Sequence, residues 1–380
     1  METKRTLLSR LLADGRVRYC LCFLLLLPLL LRRDLTSGNE LKYLEIVDEA
    51  LSDGHFWCLY LDGAAYADKP PLYFWLLMAC RRLLGFHSAP LLVFLFSMLP
   101  AFGVLAIFDR WSSGLGLRWR IVAEAALLTT AYFLGGALVL RMDMLMTFFI
   151  TLAMWLFWQI DRGGRSPGLQ AAFAVAVFLA IFTKGPVGFI FPLAGTLAFL
   201  ASERRLRDFR RAWGWRTWLI LLALCAIWWG GAYLEGGRAY IDNLLVHQTF
   251  GRAVNSFHHA KPWYYYLYTI WYAMGPWALL TIPVAVWGAV RRVGMSASVR
   301  FSLVASAAFF LIMTAFSGKL QIYLLPMFGF VNMAAFHILR AADDGTRRWP
   351  RRVWTGACIV AAIMLLACTA AGFFFPDIFQ

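Results

Sequence analysis

Charged residues are scarce in this chain, so those that interrupt its apolar runs are the ones whose chemistry needs explaining. Arg141-Met142-Asp143 lies between two apolar stretches with almost no loop. Thr183-Lys184-Gly185-Pro186 and Ser317-Gly318-Lys319 each set one lysine at a helix break beside small residues, and Asp68-Lys69-Pro70-Pro71 places a carboxylate next to an ammonium. Lys69, Arg141, Lys184, Arg252 and Lys319 are cations of the kind that bind phosphate, the lysines as point charges and the arginines as forks. Glu40, Asp68 and Asp143 are carboxylates that, when ionised and within reach, could take a proton from an attacking hydroxyl. For any lysine alone, a side chain snorkelling from a helix end is an adequate account; for Asp68-Lys69, so is a surface ion pair in a turn. The accumulation of such groups favours a site.

The stretch that holds Arg252 also contains His247, His258 and His259. Histidine is the commonest protein metal ligand. His259 together with Asp68 is therefore a candidate pair for a divalent ion, although the spacing matches no metal motif. The run Trp263-Tyr264-Tyr265-Tyr266 that follows reads as an interfacial aromatic belt.

What positions these residues is set by composition. Of 380 residues, 61% are hydrophobic and 15% charged, against about 25% charged in a soluble domain. The net charge of +15 does not indicate nucleic acid, because the basic residues fall in short clusters between long apolar runs. Seven cysteines without a CxxC pair give no disulfide framework or zinc site. The basic, then apolar, N-terminal thirty residues lack a small-residue cleavage pattern and read as an uncleaved first span.

About 20 mostly apolar residues cross a bilayer. Windows of that kind centre near residues 25, 99, 130, 152, 177, 193, 225, 277, 308, 330 and 363, giving an all-α polytopic membrane protein with about eleven transmembrane helices. With a basic N-terminus inside, segments 1–18, 109–120, 161–170, 202–216, 290–300 and 340–352 face the cytoplasm and hold 24 of the 36 Lys and Arg. That satisfies the positive-inside rule. The unusual polar residues named above then share the opposite, outer side, and Glu124 is the only acidic residue expected within a span. Ionisable groups near membrane depth are costly and mark functional sites by default.

The outer loop 32–86 is expected to carry two surface helices. In the first, Asn39 to Leu51, the leucines Leu41, Leu44 and Leu51 with Val47 recur at helical spacing and would form the apolar face. The second, within Pro70–Phe86, is too short to span before Arg81-Arg82 and is read as interfacial.

At these residues the sequence resembles the GT-C family that includes bacterial aminoarabinose lipid A transferases and protein O-mannosyltransferases. The pieces are Asn39-Glu40-Leu41-Lys42-Tyr43-Leu44-Glu45-Ile46, Tyr66-Ala67-Asp68-Lys69-Pro70-Pro71-Leu72-Tyr73-Phe74-Trp75, Arg141-Met142-Asp143, Thr183-Lys184-Gly185-Pro186, His259 to Tyr266, and Ser317 to Pro326, in family order. The resemblance implies one GT-C-like transmembrane domain and an inverting glycosyltransferase. It also implies a polyprenyl-phosphate sugar donor, a lipid, glycan or protein acceptor, and an active site on the outer face of a bacterial inner membrane. Two departures stand out. Asn39-Glu40 replaces the usual Asp-Glu, which would pass the aspartate's task to Glu40 or Asp143, and no soluble domain is expected between the last span and Gln380. The rival class is a transporter or flippase of lipid-linked anions, which would use the same outer cations.

Overall fold

The computed structural model describes residues 11–36, 38–84, 89–164, 166–244, 260–343 and 349–374. In chain order the main elements are α1 (Gly15–Leu31), α2 (Asn39–Asp53), a two-stranded hairpin of β1 (Tyr60–Leu61) and β2 (Ala64–Ala65), and α3 (Leu72–Leu84). There follow α4 (Ala89–Trp111), α5 (Leu117–Leu128), α6 (Ala131–Leu138), α7 (Met142–Asp161), α8 (Pro167–Lys184), α9 (Val187–Ser202) and α10 (Trp215–Asp242). The remainder are α11 (Tyr265–Ala273), α12 (Ala278–Arg291), α13 (Ala297–Ala315), α14 (Leu325–Ala342) and α15 (Trp349–Phe374).

Among the described residues seven helices are long and apolar enough to cross a membrane, or nine when each bent pair counts as one span. The bent pairs are α5 with α6, at 68°, and α11 with α12, at 118°. The breaks dock on each other: Ala131 N–H donates to the Gly275 carbonyl at 2.8 Å, and Trp277 Nε1 to Thr129 Oγ1 at 2.9 Å. Backbone groups freed by a break inside an apolar medium need such partners. The two remaining expected spans coincide with α1, of 17 residues, and α9, of 16. The protein is thus an all-α, multi-pass membrane protein, with the span of α14 extended at its start by a 3-10 turn from Gln321.

The span Gln321–Ala342 is central, with 83% of its apolar window buried; α15, at 11%, and α10, at 22%, present apolar side chains outward as lipid-facing helices do. Phe157, Phe199, Phe301 and Phe330 pack with Trp111 and Trp158 in the core between α4, α7, α9, α13 and α14. One end of the bundle is laced by ion pairs from the segments expected to face the cytoplasm. Arg205 meets Asp161 at 2.7 Å, and Arg300 meets Glu203 at 2.7 Å. Glu124 accepts from Arg18 Nε and Nη2 at 2.7 and 2.8 Å, while Arg18 and Arg120 also flank Asp109. The in-span carboxylate is therefore neutralised by the first helix.

The first outer loop holds the two expected surface helices, α2 and α3. The buried face of α2 differs from the leucine stripe. Glu40, Tyr43, Ile46, Val47 and Ala50 point inward, Leu44 and Leu51 are half-buried, and Leu41 is exposed. The reason is polar: Glu40 at the helix start is drawn into the protein by its partners, which rotates the face that packs. Helix α3 has 13 residues, and its Arg81 pairs with Asp48 of α2 at 2.5 Å.

Candidate active site

Antiparallel neighbours bring the start of α7 beside the end of α8. Asp143 occupies the first turn of α7 and Lys184 the last residue of α8, each at the helix end whose dipole favours its charge. Gly185 ends α8 at φ 88°, a conformation that costs a glycine little, and Pro186 directs the chain into α9. Lys184 Nζ consequently donates to Asp143 Oδ1, and Arg141 Nε donates to Oδ2 at 3.1 Å. Asp143 is 1% exposed and Arg141 29%.

Two cations thus share one carboxylate, and the cluster carries a net charge of +1. Burial alone would lower the Arg141 guanidinium, but Asp143 holds it above its ordinary value, so Arg141 stays charged. Lys184 Nζ also lies 4.7 Å over the ring of Tyr323. Tyr43 of α2 is pushed above its ordinary value, first by burial and then by Asp143 and Tyr66, which places it within electrostatic reach of the cluster.

Glu40 belongs to a second arrangement that braces the first. Its carboxylate is 2% exposed and accepts from Arg33 Nη2 at 2.5 Å, from Thr36 N and Oγ1 at 2.9 and 2.7 Å, and from the Leu140 N–H at 2.5 Å. Burial alone would raise this carboxyl, yet the Arg33 guanidinium and Thr36 hold it below the usual carboxylate range. The bond to Leu140 ties the start of α2 to the residue before Arg141.

Asp68 and Lys69 are half-buried in the turn that leads into α3. Beside them Tyr66 packs on Phe74 at 6.1 Å and carries Lys42 Nζ over its ring at 4.8 Å, and Tyr43 meets Phe74 at 5.4 Å. Lys319 is buried and donates to the carbonyls of Lys261, at 3.1 Å, and Phe316; burial lowers its ammonium from the ordinary value. It closes the junction where Ala260 bridges Gly318. Arg252 and His259 lie outside the described residues, as does half of the Asp68 and His259 metal pair. Among the described residues, no three His, Cys, Asp or Glu converge as metal ligands would.

The structure therefore brings Arg141, Asp143 and Lys184 into direct contact, links Glu40 to them through Leu140, and occupies Lys319 with loop carbonyls. Sequence reasoning passed over Arg33, Tyr43, Tyr66 and Tyr323. The signal available was that each tyrosine stands inside one of the motif-bearing stretches. The aromatic run divides: Trp263 and Tyr264 are exposed, as an interfacial belt would be, whereas Tyr265 and Tyr266 are buried and Tyr266 donates to the Leu320 carbonyl at 3.1 Å.

The polytopic helical bundle, with its braced surface helices and a cation-rich cluster at one end, has counterparts among solved structures. The structure matches that of ArnT from Cupriavidus metallidurans bound to undecaprenyl phosphate with a TM-score of 0.76 at 20% identity, covering 92% of this chain and 63% of that one. The apo form of the same protein matches at 0.75. Among curated proteins the chain is similar to undecaprenyl phosphate-alpha-4-amino-4-deoxy-L-arabinose arabinosyl transferase 1 of Pseudomonas fluorescens, 27% identical over 359 residues, which cover 90% of this chain and 60% of the relative. The corresponding transferase of Shewanella sediminis is 27% identical over 319 residues, 80% of this chain and 55% of the relative. No family model matches. The chain is similar to these transferases over most of its own length and spans about three fifths of theirs.

Proposed function

We propose that the protein transfers a sugar from an undecaprenyl-phosphate donor to a lipid, glycan or protein acceptor on the outer face of a bacterial inner membrane. The observation that carries this is the Arg141–Asp143–Lys184 cluster, whose two cations outnumber its one carboxylate. An anion completes it, and the phosphate that joins sugar to carrier is an anion placed at membrane depth. The relatives' printed names supply the donor class and suggest a 4-amino-4-deoxy-L-arabinose moiety.

In this reading Arg141 and Lys184 hold the donor phosphate. The acceptor oxygen attacks the anomeric carbon from the opposite face, the bond from that carbon to the phosphate oxygen breaks, and the electron pair leaves on polyprenyl phosphate. One displacement inverts the centre. Preplaced cations stabilise the charge that develops on the leaving oxygen. A hydroxyl acceptor needs a base, for which Asp68, Glu40 and Asp143 are the candidate carboxylates, Asp68 standing half-buried in the turn that leads into α3. A phosphate acceptor needs none. Lys69, beside Asp68, and Arg252 are further candidate contacts to the phosphate, Asp68 with His259 is the candidate metal pair, and Asp143 is read as the anchor of the two cations. The transporter alternative loses its one in-span carboxylate, because Glu124 is paired with Arg18.

The test is to reconstitute the protein in vesicles with labelled undecaprenyl-phosphate aminoarabinose and an extract of outer-leaflet acceptors. Release of undecaprenyl phosphate that depends on protein and acceptor is expected. Movement of intact donor across the bilayer without its cleavage would overturn the reading in favour of transport.

A further inference from the structure

The lipid-facing helix α10 grips the first outer loop. Three successive backbone N–H groups converge on the carboxylate of Glu235: Phe56 at 3.1 and 3.2 Å, Trp57 at 2.8 Å and Cys58 at 3.1 Å, with His55 Nδ1 at 3.3 Å. Successive N–H groups turned to one side form a concave anion seat, and here a side chain of the protein fills it. One turn earlier Gly231 lets Trp57 lie directly on the helix; a Cβ there would fall 2.3 Å from the indole. Past a break at Gly237, the Tyr240 hydroxyl accepts from Leu59 N at 3.1 Å and reaches the Tyr66 carbonyl at 3.5 Å, across the neck of the β1–β2 hairpin.

The gripped segment leads to the candidate site by two routes. Along the chain, the hairpin neck ends at Tyr66, two residues before Asp68. Through space, the Phe56 carbonyl accepts from Trp75 Nε1 at 2.5 Å and its ring stacks on Trp75 at 4.3 Å. Trp75 belongs to α3, whose leading turn carries Asp68 and Lys69, and it packs on Phe182 of α8 at 5.1 Å, two residues before Lys184. Phe182 in turn meets Trp228 of α10 at 5.2 Å, closing the circuit.

We infer that Glu235 is a positioning residue: with Gly231 and Tyr240 it clamps segment 55–59 against α10 and so sets where the Asp68–Lys69 turn stands relative to Lys184. The inference rests on the reading of this end as the transfer site. Glu235 itself touches no donor or acceptor in this account. Its carboxylate is spent on backbone.

The experiment compares Glu235→Gln with Gly231→Ala, which dislodges the same segment by crowding Trp57 and changes no charge. A displacement near 1 Å remote from the chemistry can cost about a hundredfold in rate, so each variant is expected to lower turnover between about tenfold and a hundredfold. The apparent KM for undecaprenyl-phosphate sugar is expected to stay within about threefold, as for loss of an arrangement needed in the transition state. Glu49→Gln, which loosens only the hairpin tip at Asp62 and Gly63, leaves turnover unchanged. A second arm does not need activity: in a cysteine-free background, Asp68→Cys reacts with an impermeant maleimide faster when combined with Glu235→Gln or Gly231→Ala than alone. Wild-type turnover in Gly231→Ala beside a dead Glu235→Gln would assign Glu235 a charge role and overturn the clamp, as would equal labelling rates. Should Gly231→Ala fail to insert, Tyr240→Phe carries the same expectation. Absence of transfer in the wild-type protein would defeat the transfer reading, and the labelling arm would still decide the clamp.

Discussion

Replacing Lys184 by methionine keeps an apolar stem of similar length and removes one charge, so its consequences can be worked from the geometry. In the native cluster Arg141 and Lys184 face Asp143 and leave +1; in Lys184→Met the remaining pair is neutral. Asp143 keeps Arg141 Nε at 3.1 Å, so no charge is orphaned. The penalty of about 3–5 kcal/mol for a buried ion stripped of its partner is avoided. What folding loses is one hydrogen bond between charged groups, about 1.5–3 kcal/mol. Catalysis loses a cation aimed at the leaving phosphate, typically about 2.7–4 kcal/mol or roughly a hundred- to thousandfold in rate. The assay is release of labelled undecaprenyl phosphate in vesicles, beside thermal unfolding in detergent. Lys42→Ala is the control: its ammonium lies over Tyr66, a contact worth about 0.5–1 kcal/mol at an exposed site, so the loss should stay within about fivefold. Equal, small losses for Lys184→Met and Lys42→Ala in protein that folds would refute the phosphate role and reduce Lys184 to a structural ion pair.

Glu40→Gln should lower the unfolding temperature, because Arg33, 2% exposed, then loses the charge of the carboxylate it meets at 2.5 Å, a change that costs up to about 3–5 kcal/mol for a buried pair; normal folding with abolished transfer would instead assign Glu40 to the chemistry. The pH dependence follows the same contact. The folded carboxyl is held below its ordinary value, so its contribution is complete above the unfolded pKa of about 4.3 and is lost as pH falls through the lower folded value; unfolding temperatures of wild type and Glu40→Gln should converge on acidification, and a constant gap would contradict this. Asp68→Asn should depress transfer to a hydroxyl acceptor by about a hundred- to ten-thousandfold and leave donor binding intact, whereas undiminished transfer would indicate a phosphate acceptor. In a cysteine-free background Glu45→Cys should react with an impermeant reagent from outside and Arg207→Cys only after permeabilisation, and the reverse pattern would invert the topology.

Much of this architecture is legible in the residues because a bilayer leaves so few choices. Apolar windows of bilayer length coincide with helices at all eleven expected positions, since every backbone group in hydrocarbon must be bonded within its own segment. The bends are less visible. Thr129-Thr130 and Gly275-Pro276 each sit inside one apolar window, and only their docking on each other makes two breaks stable. Candidate site residues were readable as types but not as partners. Arg141 and Asp143 are neighbours in sequence; the lysine they meet is 41 residues beyond Asp143, chosen by the packing of α7 on α8. Glu40 stood out as acidic at a membrane boundary, yet its bond to the Leu140 N–H spans 100 residues and involves a backbone group that no side-chain pattern marks. The same holds for Glu235, whose partners are three N–H groups. The leucine stripe of α2 misled because hydrophobic spacing carries no information about a buried carboxylate that turns the helix.

The central claim is that Arg141 and Lys184 form the seat of a lipid-linked phosphate, and the most direct measurement is the unfolding temperature of the purified protein titrated with undecaprenyl phosphate. A ligand that binds only the folded state at a hundred times its Kd stabilises by about 2.7 kcal/mol. The account predicts a saturable rise for the wild type, none with undecaprenol, and none in the Arg141→Ala, Lys184→Met double variant. An equal rise with undecaprenol, or in the double variant, would contradict it.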